Sequence, residues 1–281
     1  MSHLSPEELR IVLYPDHLTM IRIEKEMIRQ GLRFRTKTKA VVSDVAVAAG
    51  DPLWGGALKA LGEALSGVAG RKNPVTVILS NHFMHYALVP WSADLGGAAE
   101  EQAMARHCFR NAYGEVAEHW EIRLSPSKAG APMLASAVDR RLPEALRAVF
   151  GQAGVTLKSI QPHLMAAYNT CRGRIRGDSA WFGVVERGNL CLALLQRGCW
   201  SSLRSMRIGE DWQVELPQIL EREAILADCA AAASETYLWA PEFGAQAVPD
   251  HSRWQVLSLR PGTGLDSGPE YDGRFAMAVS L

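Results

Sequence analysis

The sequence predicts an α/β protein built from two copies of one unit: hairpin, third strand, helix, strand. Three observations carry this. RIVLY and LTMIRIE, near the start, are apolar β-branched runs broken by Pro15-Asp16-His17. Past residue 179 the same opening returns, with AWFGVVE and LCLALLQ flanking Arg187-Gly188-Asn189. In each copy a third strand and then a segment of helical spacing follow. Interleaved strands and helices predict a mixed sheet with helices packed on it. The copies share an order of elements, not a sequence.

Taken in order, the third strand lies around Leu32 to Val47, after Gly31. A helix is expected over Pro52 to Val68, with Leu53, Ala57, Leu61 and Leu65 on one face and Pro52 in its first turn. Residues 73–93 contain no Asp, Glu, Lys or Arg. Their length alone would suit a membrane helix. Asn73, Asn81, His82, His85, Pro74, Pro90 and the β-branched VTVIL argue instead for a strand, the turn SNHFMH and a second strand, YALVP. A helix over Glu100 to Tyr113 comes next, then the strands HWEIRLS and PMLASAVD, and a helix over Arg140 to Gly151 with Leu142, Leu146 and Val149 on one face. VTLKSIQP reads as a strand and HLMAAYNTC as a short helix.

Residues 172–179, RGRIRGDS, form a basic, Gly-rich linker and the expected boundary between a first half, 1–178, with an inserted subdomain, and a shorter second half, 179–281. In the second half CWSSLRSMRI is the third strand. Trp212 to Ala232 is a helix with Ile219, Ala224 and Leu226 among its apolar positions. TYLWA, HSRWQVLSLR and RFAMAVSL are strands, and 261–273 is loop.

Composition bounds the function. The chain has 281 residues, 48% of them hydrophobic, with 30 basic and 30 acidic residues for a formal charge of zero. This excludes a disordered tail and argues against a generic nucleic-acid binder, which carries basic excess. Five cysteines without a C-x-x-C pair fit buried thiols in a reducing compartment, and MSHLSPEELR lacks the features of a secretory signal, so a cytoplasmic location is expected. The neutral total is a cancellation. Residues 22–39 carry seven basic and two acidic side chains, net +5; residues 207–250 carry two basic and nine acidic, net −7. Such segments are either solvated faces or surfaces that orient and stack subunits or meet anionic lipid.

The order of elements resembles the actin-like nucleotide-binding fold, made of two ribonuclease-H-like subdomains. More narrowly, YALVPWSADL, HWEIRLS, PMLASAVD and above all RRLPEALRAVFGQAGVTLKSIQPHLMAAYN resemble the pilus-assembly protein PilM and the cytoplasmic part of the type II secretion protein GspL. WFGVVERGNLCLALLQRGCWSSLRSM fits the start of that family's second subdomain. The resemblance covers most of residues 10–240. It implies a cytoplasmic partner of a membrane-anchored pilus or secretion assembly protein, self-association, a place at the cytoplasmic face of the inner membrane, and, in some members, ATP in the cleft between subdomains. Without an expected membrane helix, the layout is closer to PilM than to whole GspL.

In that fold two hairpin turns cradle phosphate, each with an acid followed by a glycine. Glycine lets backbone N–H groups approach oxygens, and the acid orients magnesium or water. Here Tyr14 stands where the first acid would be and Asp16 where the glycine would be, while Pro15 removes an N–H and a carboxylate would repel phosphate. The second turn keeps Glu186 and Gly188, followed by Asn189. It could meet phosphate or magnesium, but an ordinary Gly-Asn turn is the preferred reading. The late strand continues as Trp239-Ala240-Pro241-Glu242, without the paired glycines against which adenosine packs. The expected protein is therefore a degenerate, pseudo-ATPase scaffold with no cofactor; Mg-ATP at Asp16, Glu186, Gly188 and Asn189 is the alternative.

Other motifs carry less. His82 and His85 are a weak metal pair with no acidic or thiol neighbours. Ser125-Pro126-Ser127-Lys128 matches S-x-x-K without its companion motifs, and Arg176-Gly177-Asp178 has no role in a cytoplasmic linker. Trp91, directly after the strand-ending Pro90, is of the residue type enriched at interfaces. The resemblance places a partner's short peptide in a groove of the first half, with His85, Pro90 and Trp91 as its walls.

Overall fold

The computed structural model describes residues 8–30, 33–66, 74–228, 234–243 and 251–259. The sequence start, RFAMAVSL, Cys229 and the loop 261–273 lie outside these residues, as do the side chains of the basic stretch 22–39. The chain forms two compact units, one containing residues up to Phe83 and Arg141–Thr170, the other Met84–Arg140 and Cys171–Leu259.

In the first unit, β1 (Glu8–Leu13) pairs antiparallel with β2 (His17–Gln30), and β2 with β3 (Arg33–Ala46). On its other side β1 runs parallel to β4 (Val75–Leu79), which is parallel to β8 (Leu157–Pro162). The order is β3-β2-β1-β4-β8. All five residues of β4 are buried, as a strand covered on both faces requires, which explains why VTVIL reads as a continuous apolar run.

Helix α1 spans Gly55–Ser66 and buries Ala57, Leu61 and Leu65. It starts three residues later than the expected Pro52. The Pro52 carbonyl accepts the Gly55 N–H at 2.6 Å, which puts Pro52 in the turn before the helix and leaves Leu53 exposed. Helix α3 (Arg141–Gln152) packs beside it through Leu142, Leu146 and Phe150. Each buried Leu contributes about 1.5–3 kcal/mol. Helix α4 (His163–Cys171) follows β8, and the Asn81 Oδ1 accepts its Leu164 N–H at 3.1 Å, a cap supplied from far away in sequence.

The second unit repeats the order. β9 (Ser179–Glu186) pairs antiparallel with β10 (Asn189–Gln196), β10 with β11 (Cys199–Arg207), and β9 parallel with β12 (Glu235–Trp239), which is parallel to β13 (Gln255–Ser258). The sheet reads β11-β10-β9-β12-β13, the same topology as the first. Helix α5 (Trp212–Leu226) covers it with Trp212, Leu216, Leu220 and Ala224, against Trp181, Leu190, Leu192 and Trp254. Leu226, expected on the apolar face, is exposed because it lies off the stripe of Trp212, Leu216, Leu220 and Ala224, between Ala224 and Ala227.

Residues 84–140 form a third sheet in this unit, β5 (Met84–Val89), β6 (Trp120–Leu124) and β7 (Met133–Asp139), ordered β5-β7-β6, with α2 (Ala98–Tyr113) packed on it through Ala105 and Phe109. The charge-free strands read as neighbours are therefore not paired: β4 lies between β1 and β8, whereas β5 pairs with β7 and packs against β11. The short 3-10 turn Asn81–Phe83 separates them.

Candidate functional site

The β1–β2 turn closes with the Tyr14 N–H donating to the His17 carbonyl at 3.0 Å. Tyr14 is buried and its ring stacks on His17 at 4.0 Å with planes 13° apart; His163 of α4 meets it edge-on at 6.4 Å. Asp16 is exposed, and its carboxylate accepts a hydrogen bond from the His17 Nδ1 at 2.7 Å. The position that would hold an acid thus holds an aromatic stack, and the remaining carboxylate pairs with a histidine of its own turn.

The β9–β10 turn differs. Gly188 sits at φ +77°, the left-handed region glycine enters most cheaply, and its carbonyl accepts the Ile208 N–H at 3.2 Å. Glu186, at the end of β9, is 1% exposed. Asn189 is buried, and its Oδ1 accepts from the Ser205 hydroxyl at 3.1 Å, which in turn accepts from the Cys191 thiol at 3.6 Å. Burial pushes the Cys191 thiol up to about 12; the Ser205 hydrogen bond pulls the other way, and the nearby Glu186 charge adds to the rise. Of the two anion-holding features named in the sequence, Gly188 keeps its turn geometry, while the Asn189 amide is tied into β11. Asp16 belongs to one unit and Glu186, Gly188 and Asn189 to the other.

His85, Pro90 and Trp91 lie along β5 and the residues directly after it. His85 and Pro90 mark the two ends of β5, about 16 Å apart at strand rise. Pro90 and Trp91 are exposed, Trp91 by 48%. His85 is half-buried and stacks on Trp120 at 3.9 Å with planes 4° apart, with Tyr113 edge-on at 5.0 Å to both and Phe109 behind Trp120 at 5.9 Å. Burial lowers the His85 pKa from its ordinary value. This aromatic cluster brings together residues from β5, α2 and β6, of which the sequence singles out His85 alone. Trp239, the last residue of β12, is fully buried. His82 lies in the 3-10 turn and His85 on the strand, and among the described residues no group of His, Cys, Asp or Glu could hold a metal ion. Nor, among the described residues, is any helix long and apolar enough to cross a membrane.

No protein-family model and no curated protein matches the sequence. Solved structures do. A chain of the PilM–PilN type IV pilus biogenesis complex superposes with a TM-score of 0.67 at 14% identity, over 96% of each chain. Cyto-EpsL, the cytoplasmic domain of an inner-membrane component of the Vibrio cholerae type II secretion system, gives 0.55 at 12% identity over 90% of each. A Bacteroides thetaiotaomicron protein described as having an actin-like ATPase fold gives 0.52 at 10% identity, over 85% of this chain and 84% of that one. This chain has the actin-like fold. The two sheets of identical strand order are the paired halves of that actin-like architecture, and residues 84–140 are inserted between β4 and α3 of the first.

Proposed function

We propose that this chain is a non-enzymatic scaffold of a type IV pilus or type II secretion-like assembly, working at the cytoplasmic face of the inner membrane by capturing a segment of a membrane-anchored partner. The observation that carries this reading is the end-to-end likeness, over 96% of both chains, to a chain of the PilM–PilN complex. The aromatic filling of the first hairpin turn favours recognition over hydrolysis, since a buried Tyr14 offers neither an acid for magnesium nor room for phosphate. Exposed Trp91 after β5 is the side chain we assign to partner contact.

The second reading keeps Mg-ATP, with Glu186 and Gly188 at the phosphates, and is favoured by the buried carboxylate beside a left-handed glycine. Titration with millimolar Mg-ATP, followed by thermal shift and calorimetry, separates the two. The scaffold gives no shift and no heat; a clear shift abolished by Glu186→Ala overturns it. Capture of N-terminal peptides from neighbouring pilus or secretion membrane proteins, lost in Trp91→Ala, supports the partner role, and failure across all of them counts against it.

A further inference from the structure

We propose that two copies of this chain join edge to edge along β6, through an antiparallel self-pairing centred on Ile122, with Glu121 of each copy opposite Arg123 of the other. The inference rests on which way the backbone of β6 faces. Among the described residues β6 pairs only with β7, in the register Trp120↔Asp139 to Leu124↔Ala135. The Ser125 N–H donates to the Leu134 carbonyl at 2.8 Å and the Arg140 N–H to the His119 carbonyl at 3.0 Å. In an antiparallel ladder, hydrogen-bonded positions alternate. His119, Glu121, Arg123 and Ser125 therefore face β7, and Trp120, Ile122 and Leu124 turn their N–H and C=O groups to the open edge. The Gln102 amide of α2, donating to the Ile122 carbonyl at 3.2 Å, shows the same direction. The Trp120 N–H is held by the Ala117 carbonyl. Among the described residues, the outward N–H groups of Ile122 and Leu124 have no partner.

A second strand meets this edge with self-complementary charge. With the two-fold axis at Ile122, the two Ile122 residues exchange hydrogen bonds and each Trp120 pairs with the other copy's Leu124. Glu121 and Arg123 then occupy the non-hydrogen-bonded sites, where facing side chains come closest. Within one chain the Arg123 Nη2 lies 2.7 Å from the Glu121 Oε1, and the Arg123 side chain is 77% exposed. In the pair, two acids and two guanidiniums close into a ring. A two-fold axis at Glu121 or at Arg123 would instead set like charges face to face, so the charges favour the Ile122-centred register over both of its neighbours. Beside β6 the structure leaves a groove of about 760 Å³, walled by Glu101, Gln102 and Arg106 of α2 and by Trp120, Leu124 and Pro126. That space receives the partner copy's Leu124 when Gln102 swings off the Ile122 carbonyl, while each Trp120 keeps its stack on His85. In the single chain, Gln102 and the two charges guard an edge that would otherwise invite indiscriminate pairing.

This surface does not include Trp91, the side chain assigned to the membrane partner, and the test needs the full chain alone. Sedimentation equilibrium over a range of concentrations should show a monomer–dimer equilibrium for the native sequence. Glu121→Arg or Arg123→Glu alone should weaken dimerisation at least about tenfold, since each puts four like charges at the seam. Mixing the two variants should restore the dimer, and so should the double variant E121R/R123E. Near-UV circular dichroism confirms that each variant keeps its native packing. A native chain that stays monomeric overturns the proposal, as does a dimer indifferent to the reversals, or a pair of folded variants that fail to associate on mixing. A monomer whose β6 amides become protected from exchange only when a membrane-protein peptide is added also overturns it, and assigns the edge to that peptide.

Discussion

Tyr14 and His17 stack face to face at 4.0 Å across the first hairpin turn, where the actin-like pattern calls for an acid and a glycine. The stack is part of the core of its unit, since Tyr14 is 2% exposed and His163 abuts it. Tyr14→Ala should cost about 3–5 kcal/mol in urea unfolding, the range for truncating a large buried aromatic. Tyr14→Asp, which restores the acid, should cost at least as much and gain no heat with Mg-ATP, because it buries an unpaired carboxylate. A well-folded Tyr14→Asp chain that binds nucleotide would show the stack to be dispensable.

Two glycines of α1 should respond in opposite directions. A Cβ on Gly56 would overlap the Ala48 carbonyl oxygen and crowd Val47 at 2.9 Å, so the loop before the helix touches the helix backbone itself. Gly56→Ala should therefore destabilise by several kcal/mol or displace residues 47–50. Gly62, in the middle of the same helix, has nothing within 4 Å of its Cβ position. Gly62→Ala should stabilise by about 0.4–1 kcal/mol through helix propensity and a less flexible unfolded chain. Thermal melts of both variants decide the matter.

Half-buried against Trp120, His85 has its pKa lowered below the ordinary 6.5 by desolvation. The unfolded chain therefore takes up the proton first as pH falls. The contribution of neutral His85 to stability is complete above pH 6.5, declines as pH drops through that value, and stops declining below the folded pKa. Comparing melting temperatures from pH 7.5 down to pH 5 in the native chain and in His85→Phe should show a smaller loss in the variant. Equal losses would place the pH sensitivity elsewhere.

The four described cysteines should also separate by reactivity. Cys191 is fully buried, donates to Ser205, and has its thiol pushed up to about 12, whereas Cys108 and Cys199 are partly exposed. Thiolates react and thiols do not. Alkylation at pH 8 followed by peptide mass spectrometry should label Cys199 without denaturant and Cys191 only upon unfolding. Ser205→Ala removes the polar partner of both Cys191 and Asn189 and should loosen that protection.

Where local pattern and tertiary environment agree, the sequence was readable. The apolar β-branched runs RIVLY and LTMIRIE, the buried VTVIL and the doubled hairpin announced a duplicated unit, and two sheets appear with the same strand order. Strand partnership was less legible. VTVIL and YALVP follow each other directly, yet join different sheets, because the Asn81–Phe83 turn redirects the chain and nothing local records which edges β4 and β5 will meet. The start of α1 is legible only in the fold, where glycine packing at Gly55 and Gly56 sets it, whereas α4 spans the same HLMAAYNTC that reads as a helix in the sequence. At the candidate site, the loss of the first acid was legible in Tyr14. Its stacking on His17, and the cluster of His85, Tyr113 and Trp120, needed the fold to bring the rings together.

The position of residues 84–140 has a consequence for biosynthesis. β4 is complete at Leu79, but its outer neighbour β8 begins at Leu157, after the whole inserted subdomain. A ribosome adding roughly 5–20 residues per second needs several seconds to span that interval. Throughout it, the nascent chain carries VTVIL, an uncharged β-branched strand with one side of its ladder open. The first sheet thus emerges unfinished and sticky, and holdase occupancy should peak on ribosomes stalled between β4 and β8 and fall once Pro162 has left the exit tunnel.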